Sequence, residues 1–286
     1  MKLRNLAVPV SVFLLAAGCG CSTAPPPKPR SFNITLRITG SPNATATQAV
    51  RDGERKLESI ITTDLSDIPR SAGLQCDPRD PNPPTTIDDL YIDVKFVNDD
   101  GPGGTLASAG PCVTRTSNGL PVTGTVLIDR ADVPGMIQSG SLDETVLHEM
   151  THVVGFGTLW SRKGLVQGAG GSNPRFSGSK ANIAWRGLGG TGSVPVENSG
   201  GGGTRDGHWR ESVLNNELMT GYANSGFNPM STISVASLGD LGYTVDMAKA
   251  DRFTVPRART ADDALATEAG HPFEEELFGP TRTVEG

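Results

Sequence analysis

One five-residue motif constrains this chain more than any other feature. His148-Glu149-Met150-Thr151-His152 has the pattern HExxH, and apolar residues recur around it at helical spacing. Ser141 and Glu144 form a capping box just before it, which predicts that a helix begins there with both histidines on its polar face. Two histidines four residues apart on one helical face can bind one metal ion, and the glutamate between them can hold an attacking water. The motif therefore predicts a helix that carries a metal site; two ordinary surface histidines are the alternative.

A catalytic zinc ion takes three protein ligands, so a third must lie elsewhere in the chain. The sequence has 4 histidines, which leaves only His208 and His271. A glutamate from the next helix is excluded, because residues 157–196 contain no Asp or Glu. His208 precedes Trp209 and a periodic segment, whereas His271 lies in an acidic stretch. His208 is therefore the preferred third ligand, and His271 is the alternative.

The motifs together resemble those of a known family. The stretch from His148 to Gly155 reads HExxHxxG, and it is followed by Gly207-His208-Trp209, by Asn216-Glu217-Leu218-Met219 and by Asp240-Leu241-Gly242-Tyr243. This pattern resembles the leishmanolysin-like metallopeptidases of the metzincin clan, in which the third histidine follows a long insertion. The resemblance covers roughly residues 32–250. It implies an α+β fold with a mixed β-sheet, a backing helix, an HExxH active-site helix and a smaller, irregular C-terminal subdomain with a Met-turn.

The resemblance also assigns roles to residues. It implies that His148, His152 and His208 bind one zinc ion and that Glu149 is the general base. Met219 would form the hydrophobic floor beneath the metal, with Met230 as a second Met-turn candidate at twice the spacing from His208. Tyr222 would stabilise the oxyanion, or else pack under the loop. With few cysteines, the chain is similar to compact bacterial relatives rather than to the parasite surface enzymes.

The first residues predict export. Lys2 and Arg4 precede an apolar run over residues 6–17, which is too short to span a bilayer as a helix and is typical of a signal peptide over residues 1–18. Leu-Leu-Ala-Ala-Gly-Cys resembles a bacterial lipobox, which predicts a lipid on Cys19; ordinary cleavage and secretion are the alternative. The proline-rich residues 19–31 would be a tether. We expect the protein on the extracytoplasmic side of a bacterial envelope, anchored in a membrane.

Two cysteines, Cys76 and Cys112, remain in the folded part of the chain. Because an exported protein meets oxidising conditions, the sequence predicts a disulfide between them. A free thiol that inhibits the metal site is the alternative.

The remaining pattern predicts the organisation of the domain. Alternating apolar residues predict strands at residues 32–38, 90–96 and 122–128, and a capping box formed by Thr45 and Gln48 predicts that a helix begins there. We assign residues 32–157 to an upper catalytic subdomain and residues 158–253 to a lower one. Acidic composition predicts a flexible tail over residues 254–286. Of the 36 glycines, 14 lie between Gly164 and Gly207, within the insertion that separates His152 from His208.

Composition and weaker motifs complete the prediction. The net charge of −6 argues against a nucleic-acid partner. Asn98, Asp99 and Asp100, followed by glycines, form either a weak calcium loop or a solvated turn. We expect an exported zinc endopeptidase that acts on proteins or peptides, bound in a cleft alongside an edge strand. The alternative is a non-enzymatic surface lipoprotein, such as an adhesin, with a structural or vestigial zinc site.

Overall fold

The fold is built around one mixed β-sheet. The structure, a computed structural model, describes residues 31–70, 73–224, 226–256, 271–272 and 275–285. The predicted signal peptide, Cys19 and all but the last residue of the predicted tether lie outside the described residues. Within them, no helix has the length and apolar character needed to cross a membrane. The described residues belong to one compact unit, and the subdomain boundary at residues 157 and 158 stays a prediction.

The described residues form six α-helices and twelve strands. The helices are α1 (Ala44–Ile60), α2 (Val133–Ser139), α3 (Leu142–Val153), α4 (Ser179–Gly187), α5 (Glu211–Leu214) and α6 (Thr232–Leu241), with a 3₁₀ turn at Met247–Lys249. The strands are β1 (Ile34–Thr39), β2 (Ile68–Pro69), β3 (Thr86–Ile87), β4 (Leu90–Val97), β5 (Ala107–Arg115), β6 (Pro121–Asp129), β7 (Val166–Gln167), β8 (Arg175–Phe176), β9 (Tyr222–Ala223), β10 (His271–Pro272), β11 (Glu275–Leu277) and β12 (Arg282–Val284).

The main sheet has the order β1-β4-β6-β5, and β11 and β12 both pair with the outer edge of β5. Strands β1, β4 and β6 run parallel, with Ile34 opposite Leu90 and Tyr91 opposite Thr123. β5 is antiparallel to β6, whereas β11 and β12 are parallel to β5. This mixed sheet with several helices confirms the predicted α+β class.

Helices α1 and α3 pack together in the core that lies against the sheet. The apolar positions of α1 are buried, as their spacing predicts. α3 approaches β6 closely, because a Cβ on Gly124 would lie only 2.4 Å from Cγ1 of Val153. The glycine therefore lets the end of α3, one residue after His152, lie directly against the sheet.

The helix ends differ from the predicted capping boxes. Asn43, rather than Thr45, caps α1, since its side chain accepts the N–H of Ala46. Ser141 stands at the start of α3 but makes no side-chain cap, and the Glu144 carboxylate instead binds the N–H and side-chain amide of Asn228. Glu144 thus ties α3 to a distant loop, because that loop offers two donors to the same carboxylate.

Part of the predicted tail lies in the sheet. β11 pairs with β5 from Ala107 to Ala109, and β12 pairs with it from Val113 to Arg115. Between these strands, the N–H groups of Phe278 and Thr281 also donate to carbonyls of β5. The prediction of a flexible tail over residues 254–286 is therefore wrong for residues 275–284, where apolar side chains and the open edge of β5 outweigh the acidic composition.

The glycine-rich insertion contains more structure than its sequence predicts. It holds β7, β8 and α4, and α4 packs against α6. Ala181 and Trp185 of α4 are buried in the main core. The insertion is therefore a folded part of the domain that leads from α3 to His208.

The predicted disulfide between Cys76 and Cys112 is confirmed. It joins the long loop after β2 to β5, across a sequence separation of 36 residues. Cys76 and Cys112 belong to a small second cluster of apolar residues, which includes Ile68, Ile87 and Val122. The bond thus anchors this loop to the sheet.

Replacing both cysteines with alanine should lower the free energy of unfolding by about 3–4 kcal/mol, because the unfolded chain regains the entropy of the closed loop. Urea denaturation of the oxidised protein and of the double variant measures the difference. Wild-type protein unfolded under reducing conditions is the control for the loss of the side chains. An equal stability in all three would contradict the prediction.

Candidate metal centre

Three histidines from two separate parts of the chain meet at one point. His148 and His152 lie one turn apart on α3, and His208 comes from the segment before α5. Their Nε2 atoms lie 2.9 Å apart for His148 and His152, 3.0 Å for His152 and His208, and 3.2 Å for His148 and His208. All three side chains are 0% exposed. The structure thus brings together the three residues that the sequence predicts as ligands.

Backbone carbonyl groups orient all three rings. Nδ1 of His148 lies 2.7 Å from the oxygen of Leu218, that of His152 lies 2.9 Å from Phe156, and that of His208 lies 3.0 Å from Thr204. A carbonyl oxygen only accepts, so each Nδ1 carries the proton and donates it. Each Nε2 is then left with its lone pair pointing at the other two.

This arrangement fits a metal ion. Three Nε2 lone pairs that face one another repel unless a cation lies between them. Zinc binds histidine nitrogen at about 2.0–2.1 Å in tetrahedral geometry, which requires ligand atoms about 3.3 Å apart. The separations of 2.9–3.2 Å are within a few tenths of an ångström of that value. The three histidines could therefore hold one zinc ion, with a fourth position left for water or substrate.

An aromatic cluster supports the two segments that carry the histidines. Phe156 and Trp160 follow α3, and Trp209 follows His208. These rings and that of Phe176 lie with centroids 4.5–5.2 Å apart, and all four side chains are fully buried. Aromatic packing of this kind contributes more than area alone. The cluster holds the segment after α3 against the segment of His208.

The turn after α3 also depends on Gly157. Its φ is +69°, and a Cβ at this position would lie 2.2 Å from the carbonyl oxygen of Gly207. Gly207 immediately precedes His208, so this close approach fixes the distance between the segments of the second and third histidines.

Gly157→Ala should therefore weaken zinc binding by about 10–100-fold, the range that changes just outside a ligand shell produce. Competition with a chelator measures the affinity. Gly164→Ala is the matched control, since Gly164 has φ +64° with nothing within 4 Å of the added Cβ. An equal loss of zinc affinity in the two variants would show that backbone strain alone, rather than the contact with Gly207, weakens zinc binding. An unchanged affinity in Gly157→Ala would contradict the prediction.

The structure also describes the other residues that the sequence predicts for the metal site. Glu149 is fully buried on α3 between the two ligand candidates. Met219 is also fully buried, and its carbonyl accepts the N–H of Trp209. Met230 is equally buried, but Met219 directly follows Leu218, the hydrogen-bond partner of His148. Tyr222 is half-buried in β9, and its role stays a prediction.

Sequence reasoning missed Glu217, which lies beside this centre. Its carboxylate accepts hydrogen bonds from Met219 N, from Ser231 N and Oγ, and from Ser234 Oγ. Burial raises the pKa of Glu217, and the hydrogen bonds from Ser231, Ser234 and Met219 oppose that rise. The sequence indication was its place in the motif Asn216-Glu217-Leu218-Met219, in which Glu217 was assigned no role.

The described residues do not support a calcium site at Asn98–Asp100. The carboxylate of Asp100 accepts the N–H of Thr105, as in a turn.

Besides the histidines, the one other group of three potential ligands in the described residues is Asp64, Asp88 and Asp89. Burial raises the pKa of Asp89 to about 6, and its carboxylate accepts the N–H groups of Leu65 and Asn33. Asp89 therefore joins the segments of Leu65 and Asn33.

Comparison with known families identifies the class of protein. Residues 88–269 match the model of peptidase family M8, leishmanolysin. The match spans more than half of the chain, and the chain belongs to the leishmanolysin family of metallopeptidases. The resemblance predicted from the motifs is thus confirmed, and this family is zinc-dependent, in agreement with the three histidines. A search of curated proteins gave no match to the chain.

Proposed function

We propose that this protein is an exported zinc-dependent endopeptidase. The observation that carries the proposal is the convergence of three Nε2 atoms within 3.2 Å of one another, each with its Nδ1 on a backbone carbonyl. Family membership supports hydrolysis of protein or peptide substrates. His148, His152 and His208 would hold the ion.

In the proposed mechanism, Glu149 moves the proton. When bound, zinc would lower the pKa of a coordinated water to about 7 and polarise the scissile carbonyl group. The Glu149 carboxylate would accept the proton of the attacking water and then deliver it to the leaving amine. Its position on α3, directly after the proposed ligand His148, favours this role.

Other residues would shape the site. Met219 would form its apolar floor, since its side chain is buried and the adjacent Leu218 carbonyl holds His148. Tyr222, three residues later, would donate a hydrogen bond to the oxyanion. α3 would then be the active-site helix, and the loop at Met219 the Met-turn of a metzincin.

One structural constraint bears on how a peptide would bind. Of the strands in the main sheet, β5 packs most extensively against α3, and β11 and β12 already cover its outer edge. A substrate would therefore have to displace these strands or bind to another part of the cleft.

Export and anchoring belong to the same proposal. The sequence of residues 1–18 favours a signal peptide, and Cys19 favours a lipid that holds the protein at a bacterial membrane. The disulfide between Cys76 and Cys112 supports an oxidising compartment.

Chelator-sensitive cleavage of a mixed peptide library tests the function. The zinc-loaded protein should cleave the library, and a chelator should stop it until zinc is restored. A zinc-loaded but inert protein would instead favour the rival function, a non-enzymatic surface lipoprotein with a structural or vestigial zinc site. The pattern of cleaved peptides also reports the preferred side chains of the substrate.

A further inference from the structure

A single peptide group lies between a buried carboxylate and the first histidine. The N–H of Met219 donates to Oε2 of Glu217 at 2.7 Å, and the C=O of Leu218 lies 2.7 Å from Nδ1 of His148. These two groups belong to the same peptide unit, which is planar, with N–H and C=O on opposite sides. Glu217 and His148 are therefore connected through one rigid plane.

We propose that Glu217 is a positioning residue for the metal centre, which acts on His148 through the Leu218–Met219 peptide group. The proposal rests on zinc binding by the three histidines, as in the proposed function. Metal-bound histidines commonly donate their second N–H to a carboxylate or carbonyl, which fixes the ring and strengthens the ligand. Here His148 donates to the Leu218 carbonyl, and the Glu217 carboxylate lies on the opposite side of that peptide group.

The chemistry of the hydrogen bonds supports this arrangement. A carboxylate on the N–H side draws the peptide proton and makes the carbonyl oxygen a stronger acceptor, because linked hydrogen bonds polarise one another. The stronger acceptor holds the proton of His148 on Nδ1. The lone pair of Nε2 then stays directed at the other two histidines.

The other oxygen of Glu217 is fixed by α6. Oε1 accepts Ser231 N at 2.9 Å, Ser231 Oγ at 2.7 Å and Ser234 Oγ at 2.6 Å. Ser234 in turn accepts the indole N–H of Trp209 at 2.8 Å, and Trp209 follows His208. Four donors thus hold the carboxylate. Its hydrogen bonds lead to the peptide group that binds His148 and, through Ser234, to Trp209 beside His208.

The Glu217 carboxylate is fully buried, and burying a charged group costs free energy unless hydrogen bonds compensate for it. Glu217 is 0% exposed, and an acid in such a position is destabilising unless its oxygens are well satisfied. Ser231 Oγ also accepts the N–H of Ile233 at the start of α6, so its own proton is directed to Glu217. The donors are arranged for a carboxylate rather than for a neutral amide.

Glu217→Gln tests the proposal, because it keeps the shape and removes the charge. We expect zinc to bind at one equivalent but about 10–100-fold more weakly. The visible spectrum of the cobalt-substituted protein should also shift, since the environment of one ligand changes. Chelator competition measures the affinity at a fixed pH.

Asp129→Asn is the matched control. Asp129 is 2% exposed and accepts the N–H groups of Gly101 and Ala131, so this change also neutralises a buried, hydrogen-bonded carboxylate. The control should lose stability but keep the zinc affinity and cobalt spectrum of the wild type. Unchanged zinc affinity in folded Glu217→Gln, or an equal loss in both variants, would overturn the proposal.

A measurement on the unmodified protein covers the case in which Glu217→Gln does not fold. Zinc titration followed by NMR should move the Met219 amide resonance, because that N–H shares a peptide group with the partner of His148. An unmoved Met219 amide, or a protein that binds no zinc, would overturn the proposal. Zinc binding that depends on Glu217 in a protein without peptidase activity would uphold it and reject only the proposed function.

Discussion

Glu149→Ala should slow peptide hydrolysis by about 10²–10⁴-fold while leaving zinc bound. Glu149 lies between two ligand candidates on α3 but is not itself among the three converging side chains, so its loss removes the base and keeps the site. General acid–base groups contribute about 10²–10⁴-fold to rates, and kcat should fall by that factor. Peptide turnover and the zinc content of the same preparation measure the two effects.

The matched control for this variant is Asp143→Ala, which removes an exposed acid from the first turn of the same helix. It should retain both activity and zinc. Turnover at the wild-type rate in Glu149→Ala would reject Glu149 as the base. Loss of zinc together with activity would indicate a structural role instead.

His208→Ala should weaken zinc binding by more than about 100-fold, because changes outside the ligand shell already cost about 10–100-fold. Nε2 of His208 lies 3.0 Å and 3.2 Å from those of His152 and His148, so its removal leaves only two ligands from α3. Chelator competition and metal content measure the loss.

His271→Ala is the control, since His271 is the remaining histidine of the chain and was the alternative ligand. This variant should bind zinc as the wild type does. Unchanged affinity in His208→Ala, particularly with a loss in His271→Ala, would show that the ligand set is wrong.

Regular hydrophobic patterns made the central elements predictable. β1, β4 and β6 alternate in sequence, and α1 and α3 follow helical spacing, so each appears close to its predicted position. β5 was missed, because Gly110 and Pro111 interrupt it and all nine of its residues are buried, which removes the alternation. Its register shifts just after Pro111, where an irregularity accommodates the proline.

The ligands were easier to predict than the groups that hold them. His148 and His152 follow from one motif, and His208 follows from the scarcity of histidine and from the family resemblance. Their partners at Leu218, Phe156 and Thr204 are backbone carbonyls, which any residue supplies and no sequence pattern marks. Glu217 was missed for a related reason, since two of its donors are backbone N–H groups and the others lie 14 and 17 residues downstream.

The covered edge of β5 has a consequence for the solubility of shortened chains. An exposed strand edge presents unpaired N–H and C=O groups to other molecules and promotes aggregation. The carbonyls of Ala109 and Cys112 accept N–H groups from Phe278 and Thr281, so residues 275–284 act as a shield against pairing between molecules. A fragment that ends at residue 256 would keep all three histidines but leave this edge bare, and would therefore be prone to associate through it.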